Sequence, residues 1–237
     1  MSNKGNLFLI PAPIADGVSD LVLTPQVREI LPGIRHFLAE DVRTARRYLS
    51  SLKVYDSIEQ LSFSVLNKDT REEELEDLFR PATEGHHLGV LSESGCPGVA
   101  DPGAMAARFA HRQGIRVIPL VGPSSILLAL MASGLNGQRF AFHGYLPIDP
   151  QESSKAIREF ERESRIKGQT QIFIETPYRN KSIFANLMKN LKPETDLCIA
   201  IDITGQDEFV VTRRVSEWKS QAPDLPKKPA VFLFLAG

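Results

Sequence analysis

The chain has 237 residues, of which 42% are hydrophobic, and its 28 Lys and Arg residues nearly balance 29 Asp and Glu residues, for a formal net charge of −1. This composition is typical of a folded globular protein, and it excludes a largely disordered chain. It also excludes an overall electrostatic field that would attract nucleic acid or a membrane, so any such partner requires a local patch.

The cysteine content and the hydropathy pattern indicate the compartment. Cys96 and Cys198 are far apart in sequence and lack metal-ligand spacing, which predicts free thiols in a reducing environment. Pro11 and Pro13 interrupt the N-terminal apolar segment before a signal-peptide core is complete. No stretch approaches the ~18 apolar residues that a membrane span needs. We therefore expect a cytoplasmic protein.

In the first half of the chain, short apolar runs alternate with longer amphipathic segments. This alternation is typical of parallel strands joined by crossover helices, so the predicted fold class is α/β. Asp101-Pro102-Gly103 predicts a helix start, because aspartate caps exposed N–H groups and proline suits the first helical position. The predicted strands are 7–10, 34–39, 61–65, 88–91 and 117–120, and the predicted helices are 20–32, 41–52, 70–84 and 104–113.

After Pro123 the predicted strands follow one another more closely, which indicates antiparallel pairing. The predicted helices are 124–133, 151–166 and 178–191, and the predicted strands are 139–145, 171–175, 197–202, 209–213 and 231–235. A boundary near 118–123 divides the chain into an N-terminal α/β lobe of residues 1–118 and a C-terminal α/β lobe of residues 119–237.

Three loops rich in Gly, Pro and Ser follow predicted strands, at residues 11–17, 92–103 and 122–125. An open α/β sheet binds ligands at such loops, and glycine permits close approach of the backbone. The first loop has prolines where a dinucleotide site needs glycines, and no phosphate-binding P-loop motif occurs. A nucleotide-like ligand without phosphates, such as S-adenosylmethionine, suits the loops better. The alternative is that they are ordinary turns.

Seven sequence motifs, which include these three loops, are distributed over nearly the whole chain. They read LFLIPAPIADG from residue 7, FLAEDVR at 37–43, LSESGCPGVADPG at 91–103, IRVIPLVGPSSILLALMASGL at 115–135, FHGYLP at 142–147, IFIETPYR at 172–179 and PAVFLFLAG at the end. In order and spacing they resemble the tetrapyrrole methylase superfamily of S-adenosylmethionine-dependent (class III) methyltransferases. The resemblance is closest to the branch that methylates a cytidine ribose 2′-hydroxyl in small-subunit ribosomal RNA. It implies two α/β lobes with the cofactor cleft between them, and a homodimer.

The resemblance also implies which residues bind the methyl donor. The N–H groups at the helix start near Ser124 and Ser125 suit the methionine carboxylate. Methyl transfer needs mainly orientation of the acceptor, and the five histidines lack metal-ligand spacing, so no metal is expected. The implied donor-binding residues are Pro13, Ile14, Ser94, Gly95, Cys96, Val99, Ser124, Ser125, Glu175, Thr176, Ile203, Pro229 and Ala230.

A hydroxyl acceptor benefits from a general base, and Glu40 and Asp41 at the end of the second predicted strand are the candidate catalytic residues. The alternative is that this acidic pair only stabilises the start of a helix. Arg43, followed by Arg46 and Arg47, is a candidate for contact with RNA phosphates, although exposed arginines are commonly ordinary surface residues. Further candidates for acceptor binding are Glu93, Tyr178 and Arg179, each with a loop or helix-start role as the alternative.

The sequence departs from the ribosomal RNA branch near the expected acceptor site. The branch typically reads AEDTRHT where this chain reads AEDVRTA, and ARELTK where this chain reads AIDITG. In the second motif Ile201 and Gly205 replace two cations, which weakens attraction for phosphates. Two alternatives therefore stay open. One is a methyltransferase that acts on a tetrapyrrole-like small molecule or on a protein, and the other is a catalytically inactive cofactor-binding module.

Overall fold

Two five-stranded sheets, one in each half of the chain, organise the structure. A computed structural model describes residues 4–237 and divides into two compact units, residues up to Ser124 and Ser125–Gly237. Helices accompany the strands of both sheets, which confirms the α/β class. The lobe boundary between residues 118 and 119 stays a prediction. Along residues 4–237, no helix combines the length and apolar character needed to cross a membrane.

The first unit is built on a fully parallel sheet with strand order β3-β2-β4-β1-β5. Two apolar clusters pack its core, and β4 is buried along its whole length, as expected for a parallel sheet covered on both faces. Its elements are β1 (Leu7–Ile10), α1 (Ser19–Val22), α2 (Pro25–Ile30), β2 (His36–Ala39), α3 (Val42–Leu52), β3 (Ser62–Val65), α4 (Leu75–Leu78), α5 (Arg80–Thr83), β4 (Leu88–Leu91), α6 (Gly103–Arg112) and β5 (Val117–Pro119).

The second unit contains a mixed sheet with strand order β6-β7-β10-β8-β9. Only the β6–β7 pair is parallel, so the predicted antiparallel pairing is confirmed. Because β7 and β8 both run antiparallel to β10, they end at the edge where β10 begins. The elements are α7 (Ser125–Ser133), β6 (Phe140–Tyr145), α8 (Pro150–Lys167), β7 (Thr170–Glu175), α9 (Asn180–Asn190), β8 (Asp196–Ile201), β9 (Phe209–Arg214), α10 (Val215–Ser220) and β10 (Ala230–Leu235).

Two of the predicted helices are wrong as single elements, and prolines explain both. The segment 20–32 divides into α1, α2 and a short 3₁₀ turn, because Thr24 precedes Pro25 and is extended, with ψ at 153°. The segment 70–84 divides into a 3₁₀ turn, α4 and α5, because Pro81 has no N–H with which to continue the helical hydrogen bonds.

Helix α10 has no counterpart in the sequence predictions. Its start is held by Glu217, whose carboxylate accepts a hydrogen bond from the Arg214 N–H at 2.8 Å. Arginine is not among the residues that usually begin a helix, so the sequence carries no conventional start signal there.

Candidate active site

A pocket of about 220 Å³ lies in the first unit at the carboxyl ends of β1, β2 and β4. These three strands are neighbours in the parallel sheet, so the loops that follow them meet at one edge. This is the edge at which open α/β sheets usually bind ligands. Its lining includes Pro13 after β1, Glu40 after β2 and Glu93 after β4, together with Arg47 and Tyr48 from α3.

Hydrogen bonds join the three Gly, Pro and Ser-rich loops, two of them between main-chain atoms and one from a thiol. Ala12 and Gly95 exchange two hydrogen bonds, of 2.9 and 3.1 Å between nitrogen and oxygen, which join the first loop to the second. The second loop reaches the third through the Cys96 thiol, whose sulfur lies 3.3 Å from the Pro123 carbonyl oxygen. Burial raises the pKa of Cys96, so this group stays a protonated donor. The structure therefore brings together the predicted loops as a connected main-chain cradle.

Close packing around Pro11 fixes the same cradle from two sides. A Cβ atom added at Gly122 would overlap the Pro11 ring, so only glycine allows the first and third loops to approach this closely. From α3, the Tyr48 hydroxyl donates a 2.7 Å hydrogen bond to the Pro11 carbonyl oxygen. Burial raises the pKa of Tyr48, which keeps the hydroxyl protonated for this bond. Helix α3 is thereby tied to the loop that follows β1.

The structure separates the roles of the two candidate catalytic carboxylates. Asp41 is the N-cap of α3, because its Oδ1 atom accepts a 2.7 Å hydrogen bond from the Thr44 N–H, and this bond lowers the pKa of Asp41. Glu40 has the opposite shift. Burial raises the pKa of Glu40, and the negative charges of Asp101 and Glu93 raise it further. Asp41 therefore caps the helix, whereas the pKa of Glu40 is shifted in the opposite direction.

The second loop is closed by Asp101, whose Oδ1 atom accepts hydrogen bonds from the Gly98 N–H at 3.0 Å and the Gly103 N–H at 2.7 Å. Pro102 is the N-cap of α6 rather than its first helical residue, one position away from the prediction. Glu93 and Val99 are exposed on this loop. The loop therefore presents charged and apolar side chains outward from a backbone that is fixed internally.

The arginines of α3 differ in their surroundings. Arg43, Arg46 and Arg47 are all exposed, and Arg47 lines the pocket. The Arg46 guanidinium lies over the Phe63 ring, 5.2 Å from its centroid, in a cation–π contact. Arg43 is the second residue of the helix and adds its positive charge to the causes that lower the pKa of Asp41.

Apart from Ser125 at the start of α7, the predicted donor-binding residues of the second unit meet at the edge where β7 and β8 end and β10 begins. Ala230 pairs with Glu175 on one side and with Ile201 on the other. The Asp202 N–H donates a 3.1 Å hydrogen bond to the Pro229 carbonyl oxygen. Thr176 and the buried Ile203 follow the ends of β7 and β8. We call this the second-sheet edge.

Three buried side-chain oxygens at the second-sheet edge make no hydrogen bond within the described residues. They are Oε2 of Glu175, Oδ1 of Asn180 and Oγ1 of Thr204. Glu175 Oε2 lies 3.3 Å from an Arg179 nitrogen as an ion pair, but the orientation does not make a hydrogen bond. Thr204 has a φ of 68°, which is unusual for a β-branched residue. Unsatisfied buried oxygens and a strained backbone at one edge are typical of a ligand-binding site.

The remaining second-unit candidates have structural contacts. Arg179 is the N-cap residue of α9, and its guanidinium also donates to the Pro147 carbonyl oxygen at 3.1 Å. Tyr178 is largely exposed, and Lys227 lies 5.6 Å above its ring. In the range 4–237, no cluster of three or more His, Cys, Asp or Glu side chains is arranged to hold a metal ion.

Sequence reasoning missed two residues that shape these edges. Tyr48 could have been found, because Ala45, Tyr48, Leu49 and Leu52 repeat at the spacing of one inward-facing helix surface. Asn180 could not, since a single asparagine carries no pattern. Its amide nitrogen donates a 2.8 Å hydrogen bond to the Lys228 carbonyl oxygen and so positions the segment before Ala230.

Comparison with known proteins decides the family. No protein-family model matches the chain. Ribosomal RNA small subunit methyltransferase I of Xylella fastidiosa is 33% identical over 221 residues, which cover 93% of this chain and 77% of that protein. The chain belongs to the ribosomal RNA small subunit methyltransferase I family. The protein of the same name from Escherichia coli O157:H7 is 29% identical over 216 residues, covering 91% of this chain and 71% of that protein.

Solved structures agree on the fold of this small subunit methyltransferase I family member. Uroporphyrin-III C-methyltransferase from Thermus thermophilus, solved in complex with S-adenosylhomocysteine, matches with a TM-score of 0.57 and 21% identity, over 98% of this chain and 97% of that one. The methyltransferase CobJ matches with a TM-score of 0.62 and 19% identity, over 98% of this chain and 95% of that one. The family makes the chain an S-adenosylmethionine-dependent methyltransferase, and its fold is that of the tetrapyrrole methyltransferases. The predicted enzyme class and methyl donor are confirmed, whereas the individual site residues stay predictions.

Proposed function

We propose that this methyltransferase modifies a ribose 2′-hydroxyl of small-subunit ribosomal RNA in the cytoplasm. The observation that carries the proposal is the position of Glu40, in the pocket at the carboxyl ends of β1, β2 and β4, with a raised pKa. The family relationship over 93% of the chain supports ribosomal RNA as the source of the acceptor. The names of the relatives support ribosomal RNA as the substrate, and the carboxylate in this pocket supports a hydroxyl group as the acceptor.

Glu40 is the proposed general base. A ribose hydroxyl is a weak nucleophile until its proton is removed, and a carboxylate whose pKa is nearer to neutrality accepts that proton more readily. Burial is the largest cause of the shift, and the neighbouring Asp101 and Glu93 charges add to it. Asp41 is already engaged as the helix cap, so its part is to hold the start of α3 beside Glu40.

S-adenosylmethionine supplies an electrophilic methyl group bound to a sulfonium sulfur. In the first unit Gly95 allows close approach of the backbone, with a φ of 73°. In the second unit Ser125 begins α7, where N–H groups point away from the helix. At the second-sheet edge, the unsatisfied oxygens of Glu175 and Thr204 fit a ligand with amino and hydroxyl groups. The proposed donor-binding residues are Pro13, Ile14, Ser94, Gly95, Cys96, Val99, Ser124, Ser125, Glu175, Thr176, Ile203, Pro229 and Ala230.

The test combines donor binding with methyl transfer. Purified protein is titrated with S-adenosylmethionine by calorimetry, then incubated with isotopically labelled donor and 30S subunits that lack the modification. Product RNA is digested with alkali, which does not cleave next to a 2′-O-methylated ribose. We expect labelled alkali-resistant dinucleotides. Label in protein or in an added tetrapyrrole, or donor binding without transfer to any acceptor, would reject the ribose acceptor.

Glu40→Gln is the matched catalytic variant, with Asp41→Asn as its control. Loss of the base is expected to reduce kcat by about 100-fold or more while donor affinity stays unchanged. In the wild type, kcat/KM should rise with pH through the pKa of Glu40, because only the ionised carboxylate accepts a proton, and this limb should be absent in Glu40→Gln. Equal losses of kcat in both variants would contradict the assignment of Glu40 alone as the general base.

We also propose a homodimer. Leu127 and Met131 are one turn apart on α7, and their side chains are 51% and 77% exposed. Apolar side chains exposed side by side on one helix are typical of an interaction surface. Light scattering is expected to give twice the monomer mass, and Met131→Lys is expected to shift the equilibrium toward monomer. A monomeric wild-type protein would reject this part of the proposal.

A further inference from the structure

We propose that Arg43 and Arg47 of α3 bind neighbouring backbone phosphates of a single-stranded RNA segment, and that the acceptor ribose between them enters the pocket beside Glu40. The inference rests on the proposed function and deepens it, because it states how the RNA strand lies on the enzyme. It selects Arg43 and Arg47 from the three exposed arginines of α3.

The two arginines lie one turn apart on α3, which borders the pocket. Residues four positions apart lie on the same face of a helix, separated by roughly 6 Å along its axis. Arg47 lines the pocket, and Arg43 lies one turn nearer to the start of α3. Guanidinium groups at this spacing can bind successive phosphates of an extended strand, each through paired N–H groups.

Helix stability explains these positions only in part, since the Arg43 charge helps to lower the pKa of the Asp41 cap and Arg47 has no such role. Two like charges four residues apart destabilise a helix, and a cation in the first turn opposes the helix dipole. Within residues 4–237, no carboxylate forms an ion pair with Arg43 or Arg47, whereas Arg28, Arg80 and Arg112 of the same unit each have one. Arg46 is also accounted for, since its guanidinium lies on Phe63. We infer that Arg43 and Arg47 are placed beside the pocket to bind an anionic partner.

The charges around the pocket also orient the strand. Asp16, Glu40 and Glu93 make its lining rich in carboxylates, which repel phosphate and accept hydrogen bonds from hydroxyl groups. A phosphate is therefore favoured on the arginine side and a ribose hydroxyl is favoured inside. The volume of about 220 Å³ is below the ~300–1,000 Å³ of pockets that enclose a whole drug-sized ligand, so it suits part of one nucleotide.

The experiment compares Arg43→Gln, Arg47→Gln and Arg46→Gln in the full chain. Methyl transfer to 30S subunits is measured over a series of KCl concentrations at constant Mg²⁺. Loss of a charge-assisted contact is expected to raise the KM for 30S about tenfold in Arg43→Gln and Arg47→Gln, with kcat within about twofold. Each should also reduce the slope of log kcat/KM against log salt by about 0.7, the value for one phosphate of a single strand.

Arg46→Gln is the matched control. It removes the same charge from the same helix, but the Arg46 guanidinium already contacts the Phe63 ring. Its KM and salt slope should match the wild type, and the calorimetric affinity for S-adenosylmethionine should be unchanged in all three variants. Equal salt slopes in all four proteins, or the same loss in Arg46→Gln as in the other two, would overturn the inference.

A binding measurement separates this inference from the proposed function. The same proteins are titrated against a fluorescein-labelled single-stranded RNA by anisotropy. Weaker and less salt-dependent RNA binding by Arg43→Gln and Arg47→Gln supports the phosphate contacts, whether or not 30S subunits are methylated. Absence of methylation by the wild type would reject only the proposed function. Ribose methylation by the wild type with unchanged RNA binding in both variants rejects only the arginine contacts.

Discussion

The pocket edge of the parallel sheet and the second-sheet edge are built in opposite ways. At the edge of the parallel sheet, the loops satisfy one another through the exchange between Ala12 and Gly95 and the bond from Tyr48 to Pro11. At the second-sheet edge, buried oxygens of Glu175, Asn180 and Thr204 have no hydrogen-bond partner within the described part of the chain. The first edge is complete in itself, whereas the second leaves bonding capacity for a ligand.

This difference separates two contributions to a binding site. A preorganised cradle costs little to order when a ligand arrives, so its residues are expected to affect stability and binding together. An unsatisfied polar atom reduces the stability of the free protein and regains a partner on binding. Substitutions at the two edges should therefore have different signatures in the free and the ligand-bound protein.

The largest expected effect is at the first edge. Gly122→Ala places a methyl group against the Pro11 ring and forces the first and third loops apart. Overpacking of this kind costs about 1–3 kcal/mol, or a Tm lower by roughly 2–10 °C in a chain of this size. We also expect at least tenfold weaker S-adenosylmethionine binding by calorimetry, because the cradle would be displaced.

Gly33→Ala is the control for this substitution, since a Cβ atom at Gly33 meets no atom within 4 Å. Its Tm and donor affinity should stay close to those of the wild type. If Gly122→Ala bound the donor with wild-type affinity, donor binding would not depend on the close packing of the first edge. The contrast drawn between the two edges would then be wrong.

An intermediate effect is expected at the cap of α3. Asp41→Ala removes the acceptor for the Thr44 N–H and should lower the Tm by about 2–4 °C, whereas Asp41→Asn keeps an acceptor oxygen and should lose less. The lowered pKa of Asp41 fixes the sign of the pH dependence. The stabilisation is fully present above the ordinary carboxyl range and is lost as pH falls through the lowered pKa.

Thermal melts of the wild type and Asp41→Ala from neutral pH into acid check this prediction, and their difference in Tm should shrink at low pH. A difference that stays constant would show that the cap does not depend on the charge of Asp41. In that case the capping role of Asp41 would not require its negative charge, and the contrast in ionisation between Asp41 and Glu40 would be weaker.

The smallest effect on the free protein is expected at Thr204. Thr204→Val keeps the β-branched shape and removes an oxygen that has no hydrogen bond, so the free protein should melt within about 2 °C of the wild type. The rise in Tm produced by saturating S-adenosylmethionine should be smaller in this variant, because a bond available only to the ligand is lost.

Thr212→Val is the matched substitution at a satisfied hydroxyl, which donates a 2.7 Å hydrogen bond to the Ser133 carbonyl oxygen. It should destabilise the free protein by about 1 kcal/mol without changing the ligand-induced rise in Tm. If the two variants behaved alike, the unsatisfied oxygen of Thr204 would have no connection with ligand binding.

Much of the fold was predictable because it depends on local patterns. Short apolar runs identified strands such as Leu7–Ile10 and Leu88–Leu91 with their observed bounds. The helix predictions failed at Pro25 and Pro81, where the loss of one N–H or the restriction of one preceding residue outweighs the helical periodicity around it. The arrangement of strands in each sheet depends on contacts between distant segments, which a single sequence does not display.

The candidate site was predictable in its loops but not in its electrostatics. Glycines and prolines identified the loops directly, because they are the residues that such turns require. The contrast between Glu40 and Asp41 could not be predicted, since the two are adjacent and chemically alike. It depends on which carboxylate meets the Thr44 N–H and which is partly buried, near the charges of Asp101 and Glu93.

The exchange of hydrogen bonds between Ala12 and Gly95 uses no side-chain atom. Side chains that project from the same loops, such as Glu93 and Val99, can therefore be randomised without breaking the link between those loops. The enzyme is accordingly suited to directed evolution, with a library confined to exposed loop positions and selected for transfer to new hydroxyl acceptors.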